Sequence, residues 1–181
     1  MQKKVFQLLA DNTSGVLSRI SGLFSRRGYN IESITAGETT KSGLTRITIV
    51  TSGDDEVLEQ IEKQVAKLVD IHDIQELKPE ASVYRELILI KVRAALEQRQ
   101  GIIAVADSFR AKIIDFASES LMIELTGDQQ KIEAFIGLMQ DYGILELART
   151  GIAGLGRGTD HIIYSEQQET ETLAPGLTCQ L

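Results

Sequence analysis

The chain has 181 residues, 43% of them hydrophobic and 25% charged, the composition of an ordinary soluble globular protein. Its formal net charge of −7, from 19 Lys and Arg against 26 Asp and Glu, leaves no basic face for nucleic-acid phosphates. No run approaches the ~18 apolar residues of a membrane span, and strand-like sequence begins by Val5 with no signal or transit segment before it, so the expected compartment is the cytoplasm.

The first element is an apolar strand over residues 5–9, followed by the polar elbow Asp11-Asn12-Thr13-Ser14-Gly15. Val16, Leu17, Ile20, Leu23 and Phe24 then recur at the spacing of one helix face, with Ser18, Arg19, Ser21, Ser25 and Arg26 opposite. Thr13 or Ser14 is the expected N-cap, Arg26 and Arg27 suit the negative C-terminal end, and Gly28 can adopt the left-handed conformation that stops the helix. Residues 31–36 and 44–50 read as strands; the second alternates Thr45, Ile47 and Ile49 against Arg46, Thr48 and Val50, and residues 37–43 form the hairpin turn between them. Val57, Leu58, Ile61, Val65 and Leu68 mark a second helix, with Asp54 and Asp55 at its start and Lys63 and Lys67 near its end. Residues 69–77 close the unit as a fourth strand.

Pro79, in the sequence Lys78-Pro79-Glu80, marks a linker over residues 79–84. The same order of elements then recurs without a repeat of letters: a strand over residues 87–92, a helix carrying Ile102, Val105, Ala106 and Phe109, and strands over 112–116 and 121–125. A helix carrying Ile132, Phe135, Ile136 and Met139 and a strand over 144–148 complete it. The expected architecture is α+β: two ferredoxin-like βαββαβ domains over residues 1–78 and 85–158, with a polar, disordered tail over 159–181. Each unit of roughly 75 residues buries little surface alone, and an open sheet leaves edges that invite pairing, so a homodimer joined through the first domain is expected.

Residues with catalytic or metal-binding chemistry are sparse. Cys179 is the single cysteine, and His72 and His161 sit in no spacing that suggests ligation or a nucleophile–base pair. The glycine-rich stretch over residues 151–158 lacks the Lys-Ser/Thr of a phosphate loop and reads as a flexible exit from the last strand. Asp54, Asp55 and Glu56 are explained by the helix dipole without a metal. The strand over 44–50 has none of the aromatic residues that an RNA-recognition sheet stacks on bases. What remains is the elbow: a helix starting after it points unpaired N–H groups at a small carboxylate, and Gly15 lets that ligand come close, although an ordinary strand-to-helix turn has the same spacing.

The wording of that stretch, DNTSGVLSRISGLFSRRGYNIESI, closely resembles the start of the small regulatory subunit of acetolactate synthase (acetohydroxyacid synthase). Further pieces follow in the family's order: LTRITIVTSGDDEVLEQIEKQVAKLVDI, RELILIKV, FRAKIID and ELARTGIAGLGRG. The resemblance runs from about residue 3 to residue 158. It implies that the first domain is an ACT domain, a module that binds amino acids, and that the chain is not itself an enzyme. It implies a catalytic subunit as partner, carrying thiamine diphosphate, Mg and FAD, while this chain holds no cofactor, activates that subunit and confers feedback inhibition by valine on branched-chain amino acid biosynthesis. Carried over by position, the valine site falls on Asn12, Gly15 and the backbone of Val16 and Leu17, with Asn30 and Ile31 supplied by the neighbouring subunit. The alternative is a stand-alone amino-acid-binding ACT module with a different client.

Overall fold

The computed structural model describes residues 2–159 and Ile162. The first unit runs β1 (Gln2–Asp11), α1 (Val16–Arg27), β2 (Asn30–Glu38), β3 (Leu44–Gly53), α2 (Asp55–Val65) and β4 (Ile71–Leu77). Its antiparallel sheet has the order β2-β3-β1-β4, so β2 and β4 are edges. Phe6, Leu8, Ala10, Ile47 and Ile49 point to one face, where α1 sets Val16, Ile20, Leu23 and Phe24 and α2 sets Leu58, Ile61 and Val65 against them. Strand β1 is buried at every position from Val5 to Ala10, because its other face is covered as well.

That cover comes from the second unit: β5 (Ser82–Arg93), α3 (Arg99–Ser108), β6 (Lys112–Phe116), β7 (Ser120–Gly127), α4 (Gln129–Gln140), β8 (Ile144–Arg149) and β9 (Ala153–Gly156). The second sheet has the order β6-β7-β5-β8, and Ile88, Ile90, Val92, Leu121, Ile123 and Leu125 pack beneath Ile102, Ala106, Ile132, Phe135 and Met139. Two ferredoxin-like α+β units are therefore present. After β8 the chain turns back, and Ile152 enters a cluster with Val5, Val50 and Leu77, against which Tyr84 packs. The Tyr84 hydroxyl donates to the Leu77 carbonyl, and Ile162 is buried on Leu9 and Leu44.

Several local expectations change. Neither Thr13 nor Ser14 caps α1; Gly15 does, at φ +91°, with no side-chain hydrogen bond. Gly28 ends the helix in the left-handed conformation, its N–H reaching the Ser25 carbonyl. Strand β2 continues through Glu38, which shortens the hairpin turn, because the ladder to β3 extends to the pair Glu38–Thr45. Asp54 caps α2 through Val57 N–H at 3.0 Å, but the helix stops at Val65 before Lys67, and Val69 is an 89% exposed turn residue rather than strand. Of the residues assigned to the linker, only Pro79–Ala81 form a short 3-10 turn; residues 82–84 already belong to β5.

The largest departure is the glycine-rich stretch, which contains a strand. β9 pairs with Ser82, Val83, Tyr84 and Arg85, lengthening β5 beyond the part that β8 occupies. Tertiary pairing outweighs local glycine entropy here, since a Cβ at Gly154 would lie 2.7 Å from Leu77 Cδ1 and 3.1 Å from Tyr84 Cδ1. In the stretch assigned to a disordered tail, Thr159 forms part of a turn and Ile162 is buried; His161, Cys179 and the remaining tail residues lie outside the described residues.

Candidate effector site at the start of the first helix

The elbow between β1 and α1 is held from both sides by backbone. Asp11 N–H donates to the Asp70 carbonyl at 2.9 Å and Asn12 N–H to the Gly43 carbonyl at 2.7 Å. Asp11 Oδ1 also lies 2.6 Å from His72 Nε2, tying the end of β1 to β4. The glycine cap and the absence of acidic residues in the first turn leave the N–H groups at the start of α1 unoccupied by any described side chain. One turn further on, Arg19 forms a bidentate pair with Asp70, at 2.5 Å from Nε and 2.7 Å from Nη2. That pair raises the guanidinium pKa, chiefly through the hydrogen bond to Asp70, and brings Arg19 Nη1 to 2.9 Å from where a Cβ on Gly15 would stand.

A hollow of about 270 Å³ opens here, between the elbow and the far end of β2. Asn12, Val16 and Leu17 line one side and Ala36, Gly37 and Glu38 the other, with Thr45 and Ile47 at its floor. Asn12 Nδ2 donates to Glu38 Oε1 at 3.0 Å across the mouth. Val16 is buried, while Leu17 is 48% exposed and available to a larger contact.

Of the residues expected at the site, the structure sets Asn12, Val16 and Leu17 on the wall of the hollow, while Gly15 caps the helix beside them and is not part of its lining. The structure does not bring Asn30 and Ile31 to them within one chain. Asn30 pairs with Ser52 and Asp11 with Leu44, so the two groups lie at opposite ends of β3, about 26 Å of strand apart. Ile31 packs instead on the first core, and the Asn30 carbonyl accepts from Thr51 Oγ1 at 2.6 Å. Sequence reasoning missed Glu38 and Arg19. Glu38 fell in a presumed turn and Arg19 on a solvent face, and only the strand register and the Asp70 pairing reveal their places. Among the described residues, no group of three or more His, Cys, Asp or Glu side chains could hold a metal, and no helix is long and apolar enough to cross a membrane.

A βαββαβ sheet whose first helix opens without a side-chain cap beside an edge strand, followed by a second such unit, defines a two-domain protein of the ACT class. Sequence comparison agrees unit by unit: the AHAS small subunit-like ACT domain matches residues 6–73, and the family described as small subunit of acetolactate synthase matches residues 85–158. The chain is 47% identical over 156 residues to the probable acetolactate synthase small subunit of Methanothermobacter thermautotrophicus, covering 86% of this chain and 93% of that protein. It is 44% identical over 159 residues to the acetolactate synthase small subunit of Bacillus subtilis, covering 87% and 92%. The crystal structure of the small subunit from Thermotoga maritima superposes with a TM-score of 0.82 at 42% identity, over 88% of this chain and all of that one. The chain belongs to the acetolactate synthase small-subunit family.

Proposed function

We propose that this chain is the regulatory subunit of an acetolactate synthase, that it binds and activates the catalytic subunit, and that it confers feedback inhibition by valine on branched-chain amino acid biosynthesis. It is non-catalytic in this reading, and thiamine diphosphate, Mg and FAD belong to the catalytic partner. The observation that carries the effector assignment is the hollow of about 270 Å³ at the uncapped start of α1, walled by the edge strand β2.

Each wall has a chemical use. The first-turn N–H groups of Val16 and Leu17 and the positive end of the helix dipole suit a carboxylate, and Gly15 admits it to the backbone. Asn12 uses its Nδ2 on Glu38, which leaves its Oδ1 to accept from an ammonium group beside the Glu38 carboxylate. Apolar atoms of Val16 and Ile47 suit the isopropyl group.

Asn30 and Ile31 reach this hollow only through a second copy. Among the described residues, strand β2 has β3 on one side and no strand on the other. Antiparallel pairing of two such edges about a two-fold at Ile34 sets Asn30 of the partner subunit opposite Glu38 and Ile31 of the partner subunit opposite Gly37. The homodimer therefore supplies the remaining polar and apolar contacts, and forms one site for each chain. The test is acetolactate formation by a purified catalytic subunit from the same source, with and without this chain, across a valine titration. Stimulation that valine reverses is the expected result. Valine binding without any effect on that subunit would leave the other reading, an ACT module with a different client.

A further inference from the structure

We propose that Thr35 and the Thr150-Gly151-Ile152 segment form the relay that carries occupancy of the effector hollow to the second domain. The inference rests on the effector reading above and concerns how that site is read out. Residues 36–38 of β2 wall the effector hollow, and the same three residues also line a separate cleft of about 510 Å³. The far wall of that cleft is Val83 and Arg85 of β5 and residues 153–155 around β9. One edge strand is thus the partition between the effector and the other domain.

Among the described residues, the partition is tied to the second unit by a side-chain hydrogen bond at Thr35. Thr35 Oγ1 donates to the Thr150 carbonyl at 2.9 Å. Gly151, at φ +79°, lies so close that a Cβ there would stand 2.9 Å from Ser33 Cβ and 3.1 Å from Thr35 Oγ1. Thr150 is in turn locked to β5: its N–H donates to the Leu87 carbonyl at 3.1 Å, and its Oγ1 accepts from Leu87 N–H at 3.1 Å. The preceding residue, Arg149, bridges Glu86 of β5 at 2.7 and 2.8 Å and Glu133 of α4 at 2.8 Å. On the other side, Ile152 is anchored among Val5, Val50 and Leu77.

The mechanical contrast follows from these bonds. Strand β2 is held within the protomer by β3 and, in the proposed dimer, by the same strand of the second copy, so a ligand that fills the hollow beside residues 36–38 loads that seam directly and displaces β2 relative to its own second domain. Thr150 directly follows the edge strand β8 and is hydrogen-bonded to Leu87 of the interior strand β5, so it cannot follow without moving β5, β8 and, through Arg149, α4. A shift at residues 36–38 is therefore converted at Thr35 into a change in the docking of the second domain, which supplies the differential contact that coupling between two sites requires.

The test separates binding from readout. The full chain is titrated with valine by calorimetry, and the holoenzyme is assayed for acetolactate formation without valine and at saturating valine. Thr35→Val keeps the side-chain shape and removes the hydroxyl. It is expected to bind valine within about twofold of the unaltered affinity, to keep valine-free activation, and to lose inhibition by about fivefold, the scale of one hydrogen bond in a coupling equilibrium. Thr35→Ser, which keeps the hydroxyl, is expected to restore it. Gly151→Ala, which wedges β2 and the return segment apart, should uncouple in the same sense. Full inhibition in Thr35→Val with normal valine binding overturns the relay. Loss of valine binding in that variant also overturns it, because Thr35 then belongs to the site. No heat of valine binding in the unaltered chain removes the effector reading itself, a result distinct from either.

Discussion

Gly15 joins three requirements in one residue: a left-handed backbone at φ +91°, a helix start without a side-chain cap, and the lack of a Cβ, which would stand only 2.9 Å from Arg19 Nη1. Gly15→Asp is accordingly expected to abolish valine inhibition while leaving activation largely intact, since the carboxylate both fills and repels the ligand's place. A holoenzyme assay across valine concentrations checks it, with a thermal melt to register the backbone strain separately. Asn12→Ala removes the polar contact across the mouth, and the affinity for valine should fall by about 1–3 kcal/mol in a calorimetric titration. At the same scale, Glu86 is a carboxylate only 5% exposed, and Arg149 is its bidentate partner. The Arg149 pKa is raised far above its ordinary value, chiefly by the hydrogen bond to Glu86, so Arg149 stays cationic through ordinary pH. Arg149→Met strands that buried charge and should lower the urea unfolding free energy by about 2–3 kcal/mol, with Glu86→Gln in the same chain recovering much of the loss.

Elements show where local signals were sufficient and where they were overruled. The apolar stripe, Arg26 and Arg27 in the last turn and Gly28 beyond them place α1 at Val16–Arg27, because all of these signals are local. Asp54 likewise marks the start of α2. Strand β9 carried no such signal. Its four residues, Ala-Gly-Leu-Gly, have poor strand propensity and become a strand only because β5 offers an open ladder over Ser82–Arg85. Its glycines serve contact rather than flexibility. Gly154→Val should therefore destabilise the chain by about 1–3 kcal/mol through overpacking against Leu77 and Tyr84, read from the urea midpoint. A midpoint equal to that of the unaltered chain would mean that β9 is a loose strap rather than a packed strand.

At the scale of the whole molecule, two features of the first unit ask for partners. Its sheet leaves β2 open along one edge, and Ile34 in the middle of that edge is 39% exposed. In the proposed dimer Ile34 lies at the two-fold, where each copy faces its own image. Ile34→Glu sets two carboxylates against each other there and should shift the mass measured by light scattering from twice the chain mass of 19.9 kDa toward that single value, with valine affinity falling in parallel. Unchanged mass would place the interface elsewhere. The other face of the sheet meets Ile152 and Ile162, so the first unit is clamped between its own helices and the segment following β8.

The sequence alone determined what depends on neighbours in the chain: helix faces from their period, turns and caps from Gly28 and Asp54, the order of elements in both units, and the elbow residues Asn12 to Leu17 as one group. It also carried the family, because the matching words lie in contiguous runs. What only the tertiary structure decided depends on register and on contacts remote in sequence. A strand's period shows which side a residue faces but not which residue stands beside it, so Glu38 across from Asn12, the distance of Asn30 from the elbow, and Arg19 on Asp70 were not legible. The bond from Thr35 to Thr150 spans 115 positions and rests on backbone geometry at Gly151, which leaves no mark in composition or spacing. Local free energies select the elements; the apolar patch of Val5, Val50 and Leu77 on the second face of the first sheet, buried under Ile152 and Tyr84, helps to select how the two units meet.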